Sequence, residues 1–428
     1  MKKALKLMVG ALATSLMLTA CGNGAEEGSV ETETDAEVKL TAWAWNINVP
    51  VIESAAEKFK EENPGFELEV VEMGRLDVYS RLTTGLQAGG QGLPDIVLME
   101  DDRIQGYLNS FPDAFVNVSE LGFDAHTDKL PSYKLDLLTK DGDVYGFPFD
   151  GGPTGVFYRT DYFEQAGVDA EAIETWDEMI EAGKKVQDEV GVSFIGLDLH
   201  GDDDFYRMML NQQGTFYFNE NGEINVDSEE SIRAMNVTKS LYDEGLVRNT
   251  VGWDAWVGSL VEGNTAIAPS GAWLYGSITQ QGPDTAGNWG VIQLPAFEEG
   301  ENRASNLGGS NYLIPTATDH EEAAYEFMEF FATTDEVQLQ AMEGGLFPTL
   351  NTIYDHELFT QEDEFFNNQA IWKLFADEMD DIPAVNYTGN YAVARDESIK
   401  AQSEIVNGRD VEDALEQAKR QLENRITN

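Results

Sequence analysis

The sequence predicts an α/β fold organised as two domains. Over the first hundred residues of the main body, strand-like segments alternate with amphipathic helical segments, which is typical of an open α/β domain. The chain has 428 residues, more than one hydrophobic core normally holds, so two domains are expected. Hydrophobic residues make up 42% of the chain, which is enough to build both cores.

The elements of the first domain follow one another as strand, helix, strand, helix, strand. Apolar and polar side chains alternate over residues 38–45 and again over 66–71, as in half-buried strands. Between them, Val51, Ala55 and Phe59 share one helical face, and after the second strand Tyr79, Leu82 and Leu86 share another. The continuous apolar run at 95–99 indicates a strand buried on both faces, as in a parallel sheet.

Later segments carry signals for a crossing, a helix start and a turn. Residues 145–159 combine glycine, proline and aromatic side chains and are interpreted as a crossing between the domains. Thr175 and Glu178 form a capping box that begins a helix. Asn221-Gly222, between two strand-like runs, predicts a hairpin turn. Residues 411–426 carry a regular apolar stripe that predicts the last helix.

The N-terminal segment has the pattern of an export signal. Lysines precede an apolar run at 7–18, which is too short to span a bilayer of about 30 Å. Leu18-Thr19-Ala20-Cys21 resembles the lipobox of bacterial lipoproteins, which implies that Cys21, the only cysteine, carries lipid. Residues 1–20 are therefore expected to be a lipoprotein signal peptide and 21–37 an acidic flexible tether; an ordinary signal peptide with an incidental cysteine is the alternative.

Charge and the lack of catalytic motifs exclude several classes of function. With 27 Lys+Arg against 78 Asp+Glu, the formal net charge is −51, which argues against nucleic-acid binding and against an anionic ligand. The acidity is expected to be a solvated surface, with adaptation to a saline or alkaline habitat as a weaker alternative. The sequence contains no nucleophile elbow, no His-Glu-x-x-His and no phosphate-binding loop. We therefore expect no enzyme activity, no cofactor and no metal site.

Several stretches from Val38 onward, in order, resemble a known family. They are Leu93–Val97, Gly155–Arg159 with Thr175–Glu178, Gly263–Ala266 with Gly271–Trp273, and the closing helices at 323–331 and 408–415. Together they resemble the extracellular solute-binding proteins of ABC sugar importers, solute-binding protein family 1, the group that includes maltose-binding protein.

The resemblance implies a two-lobed, periplasmic-binding-protein-like (type II) fold with a hinged cleft. It assigns 38–148 plus 309–354 to lobe one and 149–308 plus 355–428 to lobe two. It also implies a monomer, anchored by lipid on the extracellular face of the membrane (the periplasmic side in a Gram-negative cell). By this resemblance the protein binds a mono- or oligosaccharide and delivers it to ABC permease subunits with a cytoplasmic ATPase.

A sugar site needs polar groups for hydroxyls and flat aromatic rings for C–H faces. In open α/β sheets such sites lie beyond the carboxyl ends of strands. Trp273, Asn390 and Tyr391 match positions where the family places aromatic contacts, and core packing is an equal alternative for Trp253 and Trp256. The acidic run 202–204 is expected to cap a helix. The ligand-binding candidates are Trp43, Trp45, Asn46, Glu100, Asp101, Asp102, Arg103, Asp150, Trp253, Trp256, Trp273, Gly309, Ser310, Asn390 and Tyr391.

Three alternatives remain open at the level of sequence. One is a surface-anchored glycoside hydrolase, because paired carboxylates are easily found in so acidic a chain. Another keeps the fold but binds a non-sugar solute, such as a peptide, a polyamine or a metal complex. The third is a receptor that presents its ligand to a sensor instead of a permease.

Overall fold

The structure, a computed structural model, describes residues 38–426. The predicted signal peptide, Cys21 and the tether lie outside the described residues. The strands are β1 (Val38–Ala44), β2 (Phe66–Glu72), β3 (Ile96–Glu100), β4 (Thr139–Lys140), β5 (Asp143–Val144), β6 (Phe147–Asp150), β7 (Thr154–Arg159), β8 (Ser193–Leu197), β9 (Val247–Asn249), β10 (Thr265–Gly271), β11 (Trp289–Ile292) and β12 (Ser310–Leu313).

The α-helices cover a larger part of the chain than the strands. They are α1 (Asn48–Glu62), α2 (Arg75–Gln87), α3 (Asp101–Ser110), α4 (Ser132–Leu138), α5 (Thr160–Ala166), α6 (Trp176–Val190), α7 (Asp204–Gln212), α8 (Glu229–Asp243), α9 (Trp253–Val261), α10 (Leu274–Gln281), α11 (Glu321–Thr333), α12 (Asp335–Glu343), α13 (Glu357–Thr360), α14 (Ile371–Glu378), α15 (Tyr391–Val406) and α16 (Val411–Ile426). Among residues 38–426, every helix is too short or too polar to cross a bilayer.

The first sheet has the strand order β2-β1-β3-β12-β6. Strand β1 is parallel to β2 and β3, whereas β12 is antiparallel to both β3 and β6. Ser310, the first residue of β12, is paired with Glu100 on one side and with Asp150 on the other. The carboxyl ends of β1, β3 and β6 therefore meet at one edge of this sheet.

The second sheet has the order β11-β7-β10-β8-β9. Strands β8, β9 and β10 are parallel, and β7 is antiparallel to β10 and β11. The carboxyl ends of the three parallel strands lie at a common edge, as in the first sheet. The predicted α/β class is confirmed, with strands of mixed orientation.

Three chain segments pass between the two halves of the molecule, and two of them join the sheets directly. The first is residues 151–153 between β6 and β7, and the second runs from β11 back to β12. The third follows α12, where Phe347 accepts a hydrogen bond from the Gly151 amide (2.7 Å). The Leu307 amide donates to the Gly152 carbonyl at 2.9 Å, so the first two segments run side by side. The predicted lobe boundaries fall beside these connections and stay a prediction.

Each sheet packs its own helices in a separate hydrophobic core. Helices α1, α11 and α12 contribute to the core of the first sheet, which includes the fully buried Phe147 and Phe331. The core of the second sheet takes in α6, α7, α8, α15 and α16. A third cluster, containing Trp289 and Phe375, packs α10 and α14 beside β11. The chain therefore forms two halves, which are joined by the three connecting segments.

Local sequence signals locate most elements correctly. The capping box of Thr175 and Glu178 is present at the start of α6, and the last helix begins at Val411 as the apolar stripe indicates. The turn predicted at Asn221-Gly222 is present, and the Gly222 amide donates to the Asn219 carbonyl at 2.9 Å. The strands expected on either side of it are wrong, since only a single antiparallel bridge joins Phe218 to Ile224.

Candidate binding cleft

A cleft of about 930 Å³ lies where the carboxyl edges of the two sheets face each other. Many residues of its walls directly follow strands, and others come from the connecting segment 307–310 and from helices. This is the position at which open α/β sheets bind ligands. The volume is at the upper end of the range for small-molecule sites, roughly 300–1,000 Å³.

Three tryptophans form the wall on the side of the second sheet. Trp253 and Trp256 are three residues apart on α9, so they share one helical face. Trp273 follows β10 and donates its indole N–H to the Leu307 carbonyl at 2.8 Å. The ring centroids are separated by 5.6 Å (253–256), 5.6 Å (253–273) and 6.2 Å (256–273). These residues, called the tryptophan wall below, present continuous aromatic surface to the cleft.

The opposite wall begins where β1 ends. Asn46 has a φ of 54°, and this left-handed conformation turns the chain sharply into α1. Trp45 and Asn46 both line the cleft. The Trp45 ring packs against Tyr79 with centroids 5.8 Å apart, which fixes its orientation.

An ion pair follows β3 on the same side. Arg75 Nη1 donates to both oxygens of Glu100, at 2.9 and 3.2 Å, and the Tyr79 hydroxyl donates to Oε2 at 3.1 Å. Burial raises the pKa of Glu100 and the charge of Asp102 adds to this, while Arg75 opposes both. These bonds fix the orientation of the Arg75 and Glu100 side chains. Their remaining donor and acceptor groups therefore point in fixed directions.

A second ion pair faces it from α7. Arg207 donates to Asp204 Oδ1 through Nε (3.0 Å) and Nη2 (2.6 Å), and through Nη1 to the Tyr391 hydroxyl (3.0 Å). Arg207 Nη1 also lies 3.8 Å from Asp102 Oδ2, at the start of α3 in the other half of the molecule. Although burial acts in the opposite direction, Arg207 brings the pKa of Asp204 below its usual range. Arg207 therefore links both sides of the cleft.

The acidic run Asp202-Asp203-Asp204 brings three carboxylates close together. Asp202 Oδ1 accepts the amides of Asp203 (2.6 Å) and Asp204 (3.0 Å), as a cap at the start of α7 does. Arg395 Nε lies 2.7 Å from Asp203 Oδ1, and Arg207 forms an ion pair with Asp204. Burial raises the pKa of Asp202 to about 7, with the charges of Asp204 and Asp203 adding to it. The cluster is a helix start neutralised by two guanidinium groups, and its capping bonds come from Asp202, the residue before the N-cap residue Asp203.

A buried polar cluster lies behind the cleft where the connections meet. Lys134 is fully buried and donates to Asp101 Oδ1 and to the Asp150 carbonyl (2.9 Å). Asn311 Nδ2 donates to the same Asp101 oxygen at 2.7 Å, and Asp150 Oδ1 accepts the Phe347 amide at 3.0 Å. Burial raises the pKa of Asp150 to about 6, against the lowering effect of Lys134.

Asp150 is expected to make stability depend on pH. Because its folded-state pKa lies above the ordinary 3.8, the folded state binds the proton more tightly than the unfolded chain, so stability is highest below about pH 4 and falls as pH rises through 6. Asp150→Asn keeps an acceptor for the Phe347 amide but cannot titrate. In urea titrations, the free energy of unfolding of wild type should fall by about 2–3 kcal/mol relative to that of this variant between pH 4 and pH 7. A constant difference would contradict the assignment.

The cleft brings together most of the residues expected from sequence. Nine of them line it: Trp45, Asn46, Glu100, Asp150, Trp253, Trp256, Trp273, Gly309 and Ser310. Six do not line it: Trp43, Asp101, Asp102, Arg103, Asn390 and Tyr391. Whether any of the fifteen contacts a ligand stays a prediction.

The six residues outside the cleft lining have other surroundings. Trp43 is buried in the first core, because β1 is covered on both faces. Asp101 is 1% exposed and bound to Lys134. Arg103 pairs with Asp102 at 3.4 Å and stacks over Tyr79.

The remaining two lie at the start of α15. Tyr391 packs in the second core among Phe216, Tyr217 and Tyr387, and Asn390 precedes it as the N-cap residue. These six residues therefore do not line the cleft, and their predicted contact with a ligand stays a prediction.

Sequence reasoning missed several cleft residues. Glu72 ends β2, Asp198 follows β8 and Thr250 follows β9. The expectation that ligand-binding residues lie at the carboxyl ends of strands, called the strand-end rule below, would have found all three. Arg75 begins α2, three residues after the end of β2, so the same reasoning would have reached it. Arg207 lies within α7 and carries no comparable signal, because only the tertiary fold brings it to the cleft.

The two facing sheets and the cleft between them define a solute-binding protein. The chain belongs to the family of bacterial extracellular solute-binding proteins, which it matches over residues 54–367. It is 36% identical over 392 residues to a lactose-binding protein of Rhizobium radiobacter, covering 88% of this chain and 90% of that one. An arabinooligosaccharide-binding protein of Halalkalibacterium halodurans is 28% identical, covering 84% and 83%. The family resemblance drawn from the sequence is confirmed.

Another relative is a maltooligosaccharide ABC transporter solute-binding lipoprotein of Streptococcus pneumoniae, 26% identical over 78% of each chain. Among solved structures, an ABC-transporter-associated binding protein of B. animalis subsp. lactis in complex with β-1,6-galactobiose superposes with a TM-score of 0.74. It is 24% identical and covers 90% of this chain and 97% of that one. A family 1 extracellular solute-binding protein superposes at 0.77 with 22% identity, covering 91% and 100%. These neighbours confirm the two-lobed fold.

Proposed function

We propose that the protein captures a neutral oligosaccharide outside the cell and delivers it to an ABC importer. The observation that carries this is the tryptophan wall facing ion-paired carboxylates across a single cleft. Aromatic rings bury the C–H faces of a sugar, and carboxylate and guanidinium groups bond its hydroxyls with charge-assisted hydrogen bonds. Relatives named for lactose, arabinooligosaccharides and maltooligosaccharides support the same class of ligand.

The charge of the cleft favours an uncharged sugar over an acidic one. Two guanidinium groups, of Arg75 and Arg207, face six carboxylates: Glu72, Glu100, Asp150, Asp198, Asp202 and Asp204. Both arginines are already occupied by Glu100 and Asp204. A uronic acid or a sugar phosphate would therefore meet excess negative charge without a free cation to pair with.

Closure of the two halves around the sugar is the proposed mechanism. Gly152, Gly308 and Gly309 lie in the connections with φ of 72°, 94° and 93°, conformations that glycine adopts at low cost. Trp273 links the connecting segment at Leu307 to the second half. Arg207 links α3 to the second half through Asp102. A sugar held between Trp45 and the tryptophan wall stabilises the closed arrangement, because only that arrangement contacts it from both sides.

The family and the lipoprotein relative support three further parts of this proposal: the transport partners, the oligomeric state and the lipid anchor. The closed protein presents its bound sugar to permease subunits driven by a cytoplasmic ATPase. It acts as a monomer held at the extracellular face by lipid on Cys21. It carries out no chemistry on the sugar, consistent with a family of solute-binding proteins.

Tryptophan fluorescence during titration tests the proposal. The panel contains lactose, arabino- and malto-oligosaccharides, matched uronic acids, a peptide and a polyamine. We expect a saturable change with a neutral oligosaccharide at a Kd near 1 μM, equivalent to about −8 kcal/mol, and no saturation with the uronic acids. Tight binding of the peptide or polyamine without any sugar response would overturn the proposal, as would release of reducing ends during incubation.

A further inference from the structure

Lys134 is fully buried, which is rare for a lysine. Its ammonium group forms an ion pair with Asp101 and does not line the cleft, so it does not contact a sugar itself. An ion pair at this depth contributes little net stability, because the cost of removing two charges from water offsets their attraction. An apolar side chain of similar length would fill the same space. The hydrogen bonds that the ammonium group donates therefore need another explanation.

Lys134 and its neighbour Tyr133, both on α4, hold two adjacent carbonyl groups where the first connecting segment begins. Lys134 Nζ donates to the Asp150 carbonyl at 2.9 Å. The Tyr133 hydroxyl donates to the Gly151 carbonyl at 2.8 Å. Both carbonyl oxygens also lie 2.9 Å from the position that a Cβ on Gly309 would occupy. The first connecting segment is therefore held between α4 on one side and the second connecting segment on the other.

Strand pairing alone does not fix this part of the backbone. The register between β12 and β6 shifts between Ser310 and Asn311, as at the β-bulges that are common beside functional sites. Lys134 Nζ lies 3.5 Å from the Ser310 carbonyl at this irregularity. Asn311 donates to the same Asp101 oxygen as Lys134 does. Side chains therefore hold the backbone at the point where the ladder becomes irregular.

The backbone held from α4 belongs to the cleft. Asp150, Gly309 and Ser310 all line it, and Asp150 Oδ1 also accepts the amide of Phe347, in the third connecting segment, at 3.0 Å. Because α4 packs against α3 and β6 of the first sheet, it anchors the connecting segments where they enter the first half. A shift of this backbone would displace the groups that face a bound sugar.

We propose that Lys134 and Tyr133 are positioning residues for the sugar site, which hold the connecting segments in the arrangement that receives a sugar. This inference rests on the proposed function. Without these two donors the strands of the first sheet still pair, but the backbone of the connecting segments occupies a wider range of positions. Binding must then restore the order, which lowers affinity.

The double variant Lys134→Met/Asp101→Asn tests this inference, because it removes both charges of the ion pair and keeps an acceptor for Asn311. Its midpoint of thermal unfolding should stay within about 5 °C of that of wild type. Its affinity for the best bound of lactose, arabinotriose and maltotriose, measured by calorimetry, should fall about tenfold. Tyr133→Phe, which removes one hydroxyl group and keeps the ring, should lower the same affinity about threefold.

Hydrogen exchange in the absence of sugar gives a second, independent measurement. Backbone amides of residues 150–154 and 306–311 should exchange about tenfold faster in the double variant, while those of α16 keep their wild-type rates. Lys140→Met is the matched control. Lys140 follows α4 in the same half but donates to the Leu108 carbonyl of α3 at 2.7 Å, so its replacement should change neither sugar affinity nor exchange in the connecting segments.

The outcomes separate this inference from the proposed function. If wild type binds none of the three sugars, the proposed function fails, and the exchange rates alone decide this inference. If the double variant keeps the wild-type unfolding midpoint together with wild-type affinity or wild-type exchange rates, the ion pair only stabilises the fold and the inference is overturned. If the double variant unfolds at a much lower temperature, Tyr133→Phe decides, and unchanged affinity or exchange in that variant overturns the inference.

Discussion

Trp273→Ala is expected to weaken binding of the preferred sugar by about 100-fold, equivalent to about 2.7 kcal/mol. The change removes the stacking surface nearest the connections and exposes the neighbouring rings of Trp253 and Trp256 to water. It also leaves the Leu307 carbonyl without its indole donor. Isothermal titration calorimetry with the best sugar from the fluorescence panel measures the loss. Trp273→Phe, which keeps a ring without the donor, should recover part of it.

Trp43→Phe provides the matched control for this prediction. Trp43 is also a tryptophan close to the end of β1, but it is packed in the first core and does not line the cleft. Its replacement should reduce the free energy of unfolding by about 1–2 kcal/mol and leave sugar affinity unchanged. If Trp273→Ala retained wild-type affinity while Trp43→Phe lost it, the placement of the sugar against the tryptophan wall would be refuted.

Gly309→Ala is expected to destabilise the protein by about 3–5 kcal/mol. The residue has a φ of 93°, which L-residues rarely adopt. A Cβ at this position would lie 2.6 Å from Asp101 Oδ2 and 2.9 Å from the carbonyl oxygens of Asp150 and Gly151. These atoms belong to the buried cluster and the backbone of the connections, so they cannot move aside at low cost. Urea unfolding followed by circular dichroism measures the effect.

Gly92→Ala separates backbone strain from the steric clash. Gly92 has a φ of 74°, but a Cβ there would have no neighbour within 4 Å. Its cost should be limited to the strain of the left-handed conformation, about 1–2 kcal/mol. Equal losses in the two variants would mean that close packing around Gly309 contributes nothing to stability.

Local sequence patterns were sufficient to locate several helices and strands, but they did not predict how these elements are arranged. Helical stripes, the capping box and the apolar run before Glu100 located α1, α6, α16 and β3 close to their observed bounds. Nothing local indicated that β12 lies between β3 and β6, because that pairing joins distant segments. The resemblance to a known family carried the two-lobed architecture, and the comparisons confirmed it.

The strand-end rule found much of the cleft and failed for identifiable reasons. It located Trp45, Asn46 and Glu100, since parallel strands end at a common edge, whereas Trp273 was found from the family resemblance. It placed Asp101 in the cleft as well, although the start of α3 turns that side chain inward to Lys134. It gave no indication of Arg207, which lies inside α7 and reaches the cleft only through the packing of the two halves.

The position of β12 has a consequence for biosynthesis. Asn311 donates to the carbonyl of Met99, 212 residues earlier in the chain, so the first sheet lacks a central member until nearly three quarters of the polypeptide has emerged from the ribosome. Until then β3 and β6 present unpaired edges, and the nascent N-terminal half cannot complete its own core. A fragment truncated before Ser310 is therefore expected not to fold as a lobe by itself.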